Sequence, residues 1–479
     1  MDEVLIMSFA RRLAGRLAAL GIGFVFIAAV AGCGSATRSP STDPIRIGAV
    51  FPISSNAASL AGPELTGVQI AADQVNAGGG IAGRKIELEV RDLRARSEAD
   101  PVMRDLRDHG VQIVIGAYSS DLSIAASDAA DRAGLLYWEA GAVADRLTGR
   151  VLPMVFRVGA SGSNLGSNSS DFAATELASR LGKAVSALRI GIAVADDEYA
   201  RSVADAAETT ARERGMPVVV RRSYNLSVPN WPSVMADLAA AKPDVLILAS
   251  HIPDGIAFRQ AMLAAGLRVG ALIGSTMAEC DPDFAGELGA DAVGIFASDR
   301  PTAGFQASAL DSEAAAAYAR FAADWAKAPK DGAGSGDESG GGDGEDTGGN
   351  GYGTTEYSIR GPAEDATAEQ SEEALAGYSA AWALFRHVLP AAANTAGSGA
   401  VGSAAFDASA VAAAARTIDL PQGSLPNGAG LRFSSDPATL GQNERAAAVI
   451  WQWQAVRTYA FVWPPTYATG DVAFVPLGR

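Results

Sequence analysis

Cysteine and histidine are scarce in this chain of 479 residues. It contains Cys33 and Cys280 and three isolated histidines, His109, His251 and His387. Two cysteines cannot build a disulfide framework, and no His-Glu-x-x-His, Cys-x-x-Cys or Gly-x-Ser-x-Gly pattern occurs. Common zinc sites and serine nucleophiles therefore lack support, and no metal, nucleotide or redox cofactor is implied. A hydrolase assembled from residues scattered in sequence remains the enzymatic alternative.

Positive charge is also in short supply. The chain has 38 Lys and Arg against 54 Asp and Glu, a net charge of −16. This balance argues against nucleic acid or an anionic membrane surface as a partner. Much of the acidity lies in the Gly-rich stretch 328–370, which we predict to be a disordered insert because it has too few apolar residues to bury. A calcium site at Asp343, Glu345 and Asp346 is the alternative, although the EF-hand spacing is absent.

The N-terminal segment is typical of a targeting sequence. Arg11, Arg12 and Arg16 precede an apolar run, 17–31, that is short for a membrane span. The run ends in Val-Ala-Gly-Cys, which resembles a bacterial lipobox. We therefore predict a signal peptide over 1–33, cleavage before Cys33, lipidation of its sulfur and a tether over 34–43. An uncleaved anchor helix is the alternative.

Beyond the tether, strand-like and helix-like patterns alternate, which predicts parallel sheets with helices on both faces. Predicted strands are 45–51, 85–91, 111–115, 135–138 and 154–158, then 189–194, 217–220, 245–249 and 271–274. Predicted helices are 63–76, 98–108, 122–133, 173–181, 198–214, 233–241, 255–265, 308–327 and 408–417, with a further one that starts at 371. A Gly/Ser/Asn-rich crossing is predicted at 159–168, a second crossing at 299–304, and antiparallel segments at 431–433, 448–454 and 456–462.

The stretch from Val111 to Val143 has the pattern expected of a ligand-binding unit. A short apolar strand leads into Gly-Ala-Tyr-Ser-Ser, then a helix with Asp121 as its expected N-cap, then a strand that ends in Glu-Ala-Gly-Ala-Val. In open parallel sheets, ligands bind outside the carboxyl ends of the strands, near helix N-termini. We therefore predict a small-molecule site here, for a ligand that carries a carboxylate.

Three motifs, in order, resemble the periplasmic Leu/Ile/Val-binding family of ABC transporters. They are IRIGAVFPIS at Ile45, GVQIAADQVNAGGGIAGRKIELEVRD at Gly67, and the unit from Val111 to Val143. The resemblance implies an α/β fold of periplasmic-binding-protein type I, with two Rossmann-like lobes joined by a multi-strand hinge. Its expected parts are lobe 1 at 44–158, lobe 2 at 159–300, a hinge crossing and helix at 301–327, and C-terminal helices and strands at 371–479 that complete the lobes.

The resemblance also implies a function and a set of partners. The chain is expected to be a monomeric, lipid-anchored solute-binding protein that captures an amino acid, amide or similar small polar solute and delivers it to an ABC permease. An extracellular receptor of the same fold, coupled to a signalling partner, is the alternative.

The positions that match the family's ligand contacts lie in both lobes. They are Ser119, Ser120, Gly141, Ala142, Val143 and Leu60 in the first lobe, and Tyr199, His251 and Thr276 in the second. The resemblance implies that the Ser120 hydroxyl and the backbone N–H groups of 141–143 hold a carboxylate. Thr276 stands where the family usually has an acidic partner for an ammonium group. Each residue also has a structural alternative: the serines as helix caps, Tyr199 as packing, and His251 as an ordinary loop residue. Glu139 could pair with an arginine rather than face the ligand.

Overall fold

The computed structural model describes residues 43–55, 57–275, 282–328, 372–395, 406–456 and 458–478. Cys33, Thr276, Cys280 and the acidic stretch lie outside these ranges, so the predictions made for them are not addressed by the fold. In the described ranges, no helix combines the length and the apolar character needed to cross a membrane.

The first sheet has five parallel strands in the order β2-β1-β3-β4-β5. They are β1 (Ile45–Phe51), β2 (Ile86–Asp92), β3 (Ile113–Gly116), β4 (Leu136–Glu139) and β5 (Val155–Arg157). The helices between them are α1 (Ala58–Ala77), α2 (Ala99–Asp108) and α3 (Ser120–Ala133). β1, β3, β4 and β5 are almost fully buried, as the continuous apolar runs in their sequence predict.

The second sheet has seven strands in the order β12-β11-β10-β9-β8-β6-β7. They are β6 (Ile190–Ala195), β7 (Val218–Tyr224), β8 (Val245–Ala249), β9 (Ala271–Ser275), β10 (Phe296–Asp299), β11 (Val449–Ala455) and β12 (Thr458–Trp463). β6 to β10 pair in parallel, whereas β11 is antiparallel to both β10 and β12. The predicted closing antiparallel element is therefore present over its last two segments. Leu431 and Phe433 form only isolated bridges.

The helices that follow β5 pack around the two sheets. They are α4 (Gly162–Phe172), which continues through a π-helical turn into α5 (Ala178–Arg180), α6 (Glu198–Glu213), α7 (Trp231–Ala241), α8 (Ile252–Ala264), α9 (Pro282–Leu288), α10 (Ser312–Trp325), α11 (Glu372–Ala383), α12 (Leu389–Thr395) and α13 (Ala408–Ala415). After β10 the chain returns to the first sheet, where α11 packs closely on α1, and it then rejoins the second sheet at β11. The predicted two-lobed α/β architecture is confirmed.

Two glycines allow α1 and α11 to cross at close range. A Cβ atom on Gly67 would overlap the carbonyl oxygen of Ala374, and one on Gly377 would overlap that of Glu64. The indole N–H of Trp138, on β4, donates to the Ala380 carbonyl at 2.9 Å and fixes α11 against the sheet. This crossing brings the start of α11 close to the loop that follows β4.

Three local predictions were wrong. The segment predicted as an irregular crossing at 159–168 is helical from Gly162, because Ser161 and Asn164 form a capping box and small residues let α4 pack on α6. The chain forms β10 over 296–299, where no strand was predicted. The N-cap of α3 is Ser119, and Asp121 lies in the first turn of that helix.

Candidate functional site

A cleft of about 200 Å³ lies where strand ends of the two sheets face each other. It is lined by Tyr118, Ser119, Ser120, Asp121, Gly141, Ala142, Val143, Asp197, Glu198, Tyr199, Leu226, His251 and Arg300. These residues follow the carboxyl ends of β3, β4, β6, β7, β8 and β10. Loops at this edge of a parallel sheet are where α/β proteins bind small molecules.

The cleft brings together seven of the nine residues predicted from the sequence: Ser119, Ser120, Gly141, Ala142, Val143, Tyr199 and His251. Leu60 lies on α1 and packs against the core, outside the lining. Thr276 is outside the described residues. A direct contact of any of them with a ligand stays a prediction.

The first-lobe wall is tied together by its own hydrogen bonds. The Ser120 hydroxyl oxygen accepts the N–H of Ala144 at 3.1 Å, which links the start of α3 to the loop after β4. Ser119 occupies the N-cap position without a side-chain capping bond. Ser120 therefore has a structural role in joining the two loops, and among the described residues its own proton has no acceptor.

Glu139 occupies backbone donors that the sequence assigned to a ligand. Its Oε1 accepts the N–H of Gly141 at 2.9 Å and that of Ala142 at 2.7 Å, and its Oε2 accepts the Tyr137 hydroxyl at 3.2 Å. The side chain is fully buried, so these N–H groups point into the protein rather than into the cleft. In this conformation the protein's own carboxylate accepts the Gly141 and Ala142 amides, and a contact between these amides and a ligand carboxylate stays a prediction.

Burial raises the pKa of Glu139 to about 7, although the N–H bonds from Ala142 and Gly141 favour its charged form. Among the described residues, Glu139 is not part of the cleft lining and has no arginine within ion-pair distance, although the charge of Arg157 acts to lower its pKa. A carboxylate followed by the small residues Ala-Gly-Ala was the available signal, since such a side chain can accept the amides two and three residues ahead.

Arg300, which the sequence analysis missed, joins the two lobes at the cleft. It follows β10, is 5% exposed, and donates from Nη1 to the Gly141 carbonyl at 2.7 Å. Its Nε donates to Oε1 of Glu372 at 2.5 Å, and its Nη2 contacts the same oxygen. Burial acts to lower the pKa of Arg300, but Glu372 and Asp299 outweigh it and raise the pKa. Arg300 lies in a segment that crosses between the sheets, and this segment has no sequence periodicity from which Arg300 could have been predicted.

Buried acids surround this guanidinium. Glu64 and Asp299 are fully buried, and within the described residues neither oxygen of Glu64 nor Oδ2 of Asp299 has a hydrogen-bond partner. Burial, followed by the charge of Glu139, raises the pKa of Glu64 well above its usual range. Burial and the adjacent Glu372 do the same for the pKa of Asp299. Burial therefore favours the neutral form of both carboxyls.

The second-lobe wall is a connected polar network. The Tyr199 hydroxyl donates to the Ser275 carbonyl at 2.7 Å, and its ring centroid lies 5.0 Å from that of His251. His251 Nε2 lies 3.0 Å from Asp197 Oδ2, while Oδ1 of Asp197 accepts the N–H of Ala200 at 2.7 Å and caps α6. Burial would lower the pKa of His251, but Asp197 raises it, and the pair is favoured in its ionic form. Asp197 was not predicted from the sequence.

Within the ranges that the structure describes, no three His, Cys, Asp or Glu side chains are placed to hold a metal ion. The cleft combines hydroxyls, carboxylates, one imidazole and one guanidinium with apolar faces of Tyr118, Val143 and Leu226. Such a lining suits reversible binding of a small polar molecule.

The chain belongs to the family of periplasmic binding proteins, whose model matches residues 44–341. It is of the Leu/Ile/Val-binding type. Leu/Ile/Val-binding protein homolog 8 of Brucella abortus is 29% identical over 432 residues, which is 90% of this chain and 93% of that protein. Homolog 7 of the same organism is 26% identical over 438 residues, 91% of this chain and 96% of its own length.

Solved structures share the fold. An ABC transporter substrate-binding protein from Desulfitobacterium hafniense, in complex with Leu, has a TM-score of 0.61 at 20% identity and covers 88% of this chain and 100% of its own. The branched-chain amino acid transporter substrate-binding protein of Streptococcus pneumoniae, in complex with isoleucine, also has a TM-score of 0.61, at 17% identity and the same coverage. The relatives are binding proteins rather than enzymes, and the family's place of action is outside the cytoplasm.

Proposed function

We propose that this protein captures a small polar solute between its two lobes and delivers it to an ABC permease. The observation that carries the proposal is the cleft, whose lining comes from strand ends of both sheets. A solute that touches both walls would favour the closed arrangement by the difference between its affinities for the closed and open states.

In this proposal each wall supplies distinct contacts. Ser120 donates its hydroxyl proton from the first lobe, and Val143 contributes its apolar side chain. Tyr199 and His251 present their rings from the second lobe, held in place by Ser275 and Asp197. The rings of Tyr199 and His251 would cover the solute once the lobes have closed.

The test is a thermal-shift screen of the purified full-length protein against amino acids, amides, amines, carboxylates, nucleobases and polyamines. A solute present at a hundred times its dissociation constant adds about 2.7 kcal/mol to native stability. We expect a rise in melting temperature with at least one class, confirmed by calorimetry. If no class raises it, solute capture is not the function.

We also propose that the protein is anchored by a lipid on Cys33, as the motif before that residue indicates. The Cys33→Ala variant should lose palmitate labelling and leave the membrane fraction. Cys280→Ala is the matched control and should retain both. Equal labelling of the two variants would contradict the anchor.

Delivery to a permease is tested by uptake. Cells that lack the gene should lose uptake of the solute found in the screen, and the wild-type gene should restore it. Unchanged uptake, together with solute binding by the purified protein, would favour the receptor alternative.

A further inference from the structure

The cleft has few uncommitted donors for an anionic ligand. The amides of Gly141 and Ala142 already donate to Glu139. Each of the three nitrogens of Arg300 is engaged, by Glu372 or by the Gly141 carbonyl. A carboxylate accepts several donors when it is bound tightly, because its charge must be solvated by the site. In the first-lobe wall, these donors are already bonded to the protein's own groups.

The carboxylates that line the cleft act in the same direction. Asp121 lies in the first turn of α3, where it complements the positive end of that helix, and its Oδ2 lies 3.5 Å from Nη1 of Arg96 at the surface. Asp197 and Glu198 follow β6 on the opposite wall. The imidazole of His251 is the nearest cation to Asp197, and it is committed to that residue at 3.0 Å.

Glu64 is a further acid, and it lies behind the first-lobe wall. A Cβ atom on Gly141 would overlap the carboxyl of Glu64, so only the glycine separates this group from the cleft. Glu64 is fully buried, and its oxygens have no hydrogen-bond partner in the described part of the chain. A negative ligand placed against Gly141 would further disfavour the charged form of Glu64, whereas a positive ligand would favour that charged form.

We propose that the cleft selects a cationic solute, one that carries an amine or amidine and no free carboxylate. This inference rests on the proposed function of solute capture and names the class of solute. The cationic group lies between the Asp197 side of the second lobe and the Gly141 side of the first. The apolar remainder of the solute packs on Tyr118, Val143 and Leu226.

The test compares matched probes that share a carbon skeleton. For leucine and for phenylalanine, we would measure the dissociation constants of the amino acid, its amide, the decarboxylated amine and the deaminated acid by calorimetry on the full-length protein. The amide and the amine should bind at least tenfold more tightly than the amino acid, and the deaminated acid most weakly, since a hydrogen bond to a charged group is worth about that factor or more.

A charge-matched pair of variants locates the effect. Asp197→Asn keeps the cap of α6, because asparagine is also a good N-cap, and it should weaken binding of the amine about tenfold or more. Asp205→Asn, on the exposed side of the same helix, removes the same charge away from the cleft and should leave the affinity unchanged.

The possible outcomes distinguish failure of the cationic class from failure of solute capture itself. An amino acid or deaminated acid that binds more tightly than its amine would overturn the cationic class and leave solute capture standing. Equal weakening by Asp197→Asn and Asp205→Asn would also overturn it, since the effect would then be one of net charge. If the matched probes and the broad screen all fail to bind, solute capture fails, and this inference fails with it.

Discussion

Replacing Arg300 by methionine removes a buried cation from the junction of the two lobes. Arg300 and Glu372 are 5% and 6% exposed, and the pair also holds the Gly141 carbonyl. Loss of one partner leaves the other charge buried without compensation, which costs about 3–5 kcal/mol. Methionine retains much of the apolar volume, so the lost ion pair and hydrogen bonds dominate the change. We expect Arg300→Met to lower the free energy of unfolding by that amount.

The assay is urea-induced unfolding followed by tryptophan fluorescence. Arg386→Met is the control, because its pair with Glu313 is 53% exposed on both sides and should be worth at most about 1 kcal/mol. In the double variant Arg300→Met/Glu372→Gln, part of the loss should be recovered, since no buried carboxylate is stranded at position 372. A cost for Arg300→Met no greater than that of the control would refute the reasoning.

Three further predictions concern Glu139, the helix crossing and Ser120. The pKa of Glu139 is about 7 in the native state against an ordinary 4.5, so the free energy of unfolding should fall as the pH rises from 4.5 to 7. Glu139→Gln should remove up to about 3 kcal/mol of this pH dependence, measured by urea titrations at several pH values. A pH profile of the variant that matches the wild type would contradict this prediction. Gly67→Ala should cost about 1–3 kcal/mol through overlap with α11, whereas Gln69→Ala, at an exposed position of the same helix, should change the stability by at most about 0.5 kcal/mol; equal effects in thermal melts would rule out the crossing as the cause. Ser120→Ala should weaken solute binding by about 1–3 kcal/mol in calorimetry if the hydroxyl meets a charged group, and an unchanged affinity would remove Ser120 from the contacts.

The internal carboxylate of Glu139 gives the first-lobe loop a defined shape without a ligand. The Gly141 and Ala142 amides are satisfied by Glu139, and the Gly141 carbonyl is satisfied by Arg300. A loop whose polar groups are already paired loses little conformational freedom when a solute arrives. It also offers that solute fewer backbone donors.

The sequence by itself determined the alternation of strands and helices and the position of the binding edge. The apolar run of β8 and the helical spacing in α3 are local patterns, and local propensity with periodicity specifies such elements. Because the carboxyl ends of parallel strands share one edge, Ser120 and Val143 could be assigned to one site before the fold was seen, whereas Tyr199 and His251 were added through the family resemblance.

Only the tertiary structure decided which groups in that site are already paired. Asp197 and His251 are far apart in sequence, as are Arg300 and Glu372, and no local pattern couples them. The same holds for Glu64, which reaches Gly141 because α1 and α11 cross at glycines. Ionic pairing and burial depend on distances set by packing of the whole chain, so the polarity and the charge of the cleft emerge only when both lobes are in place.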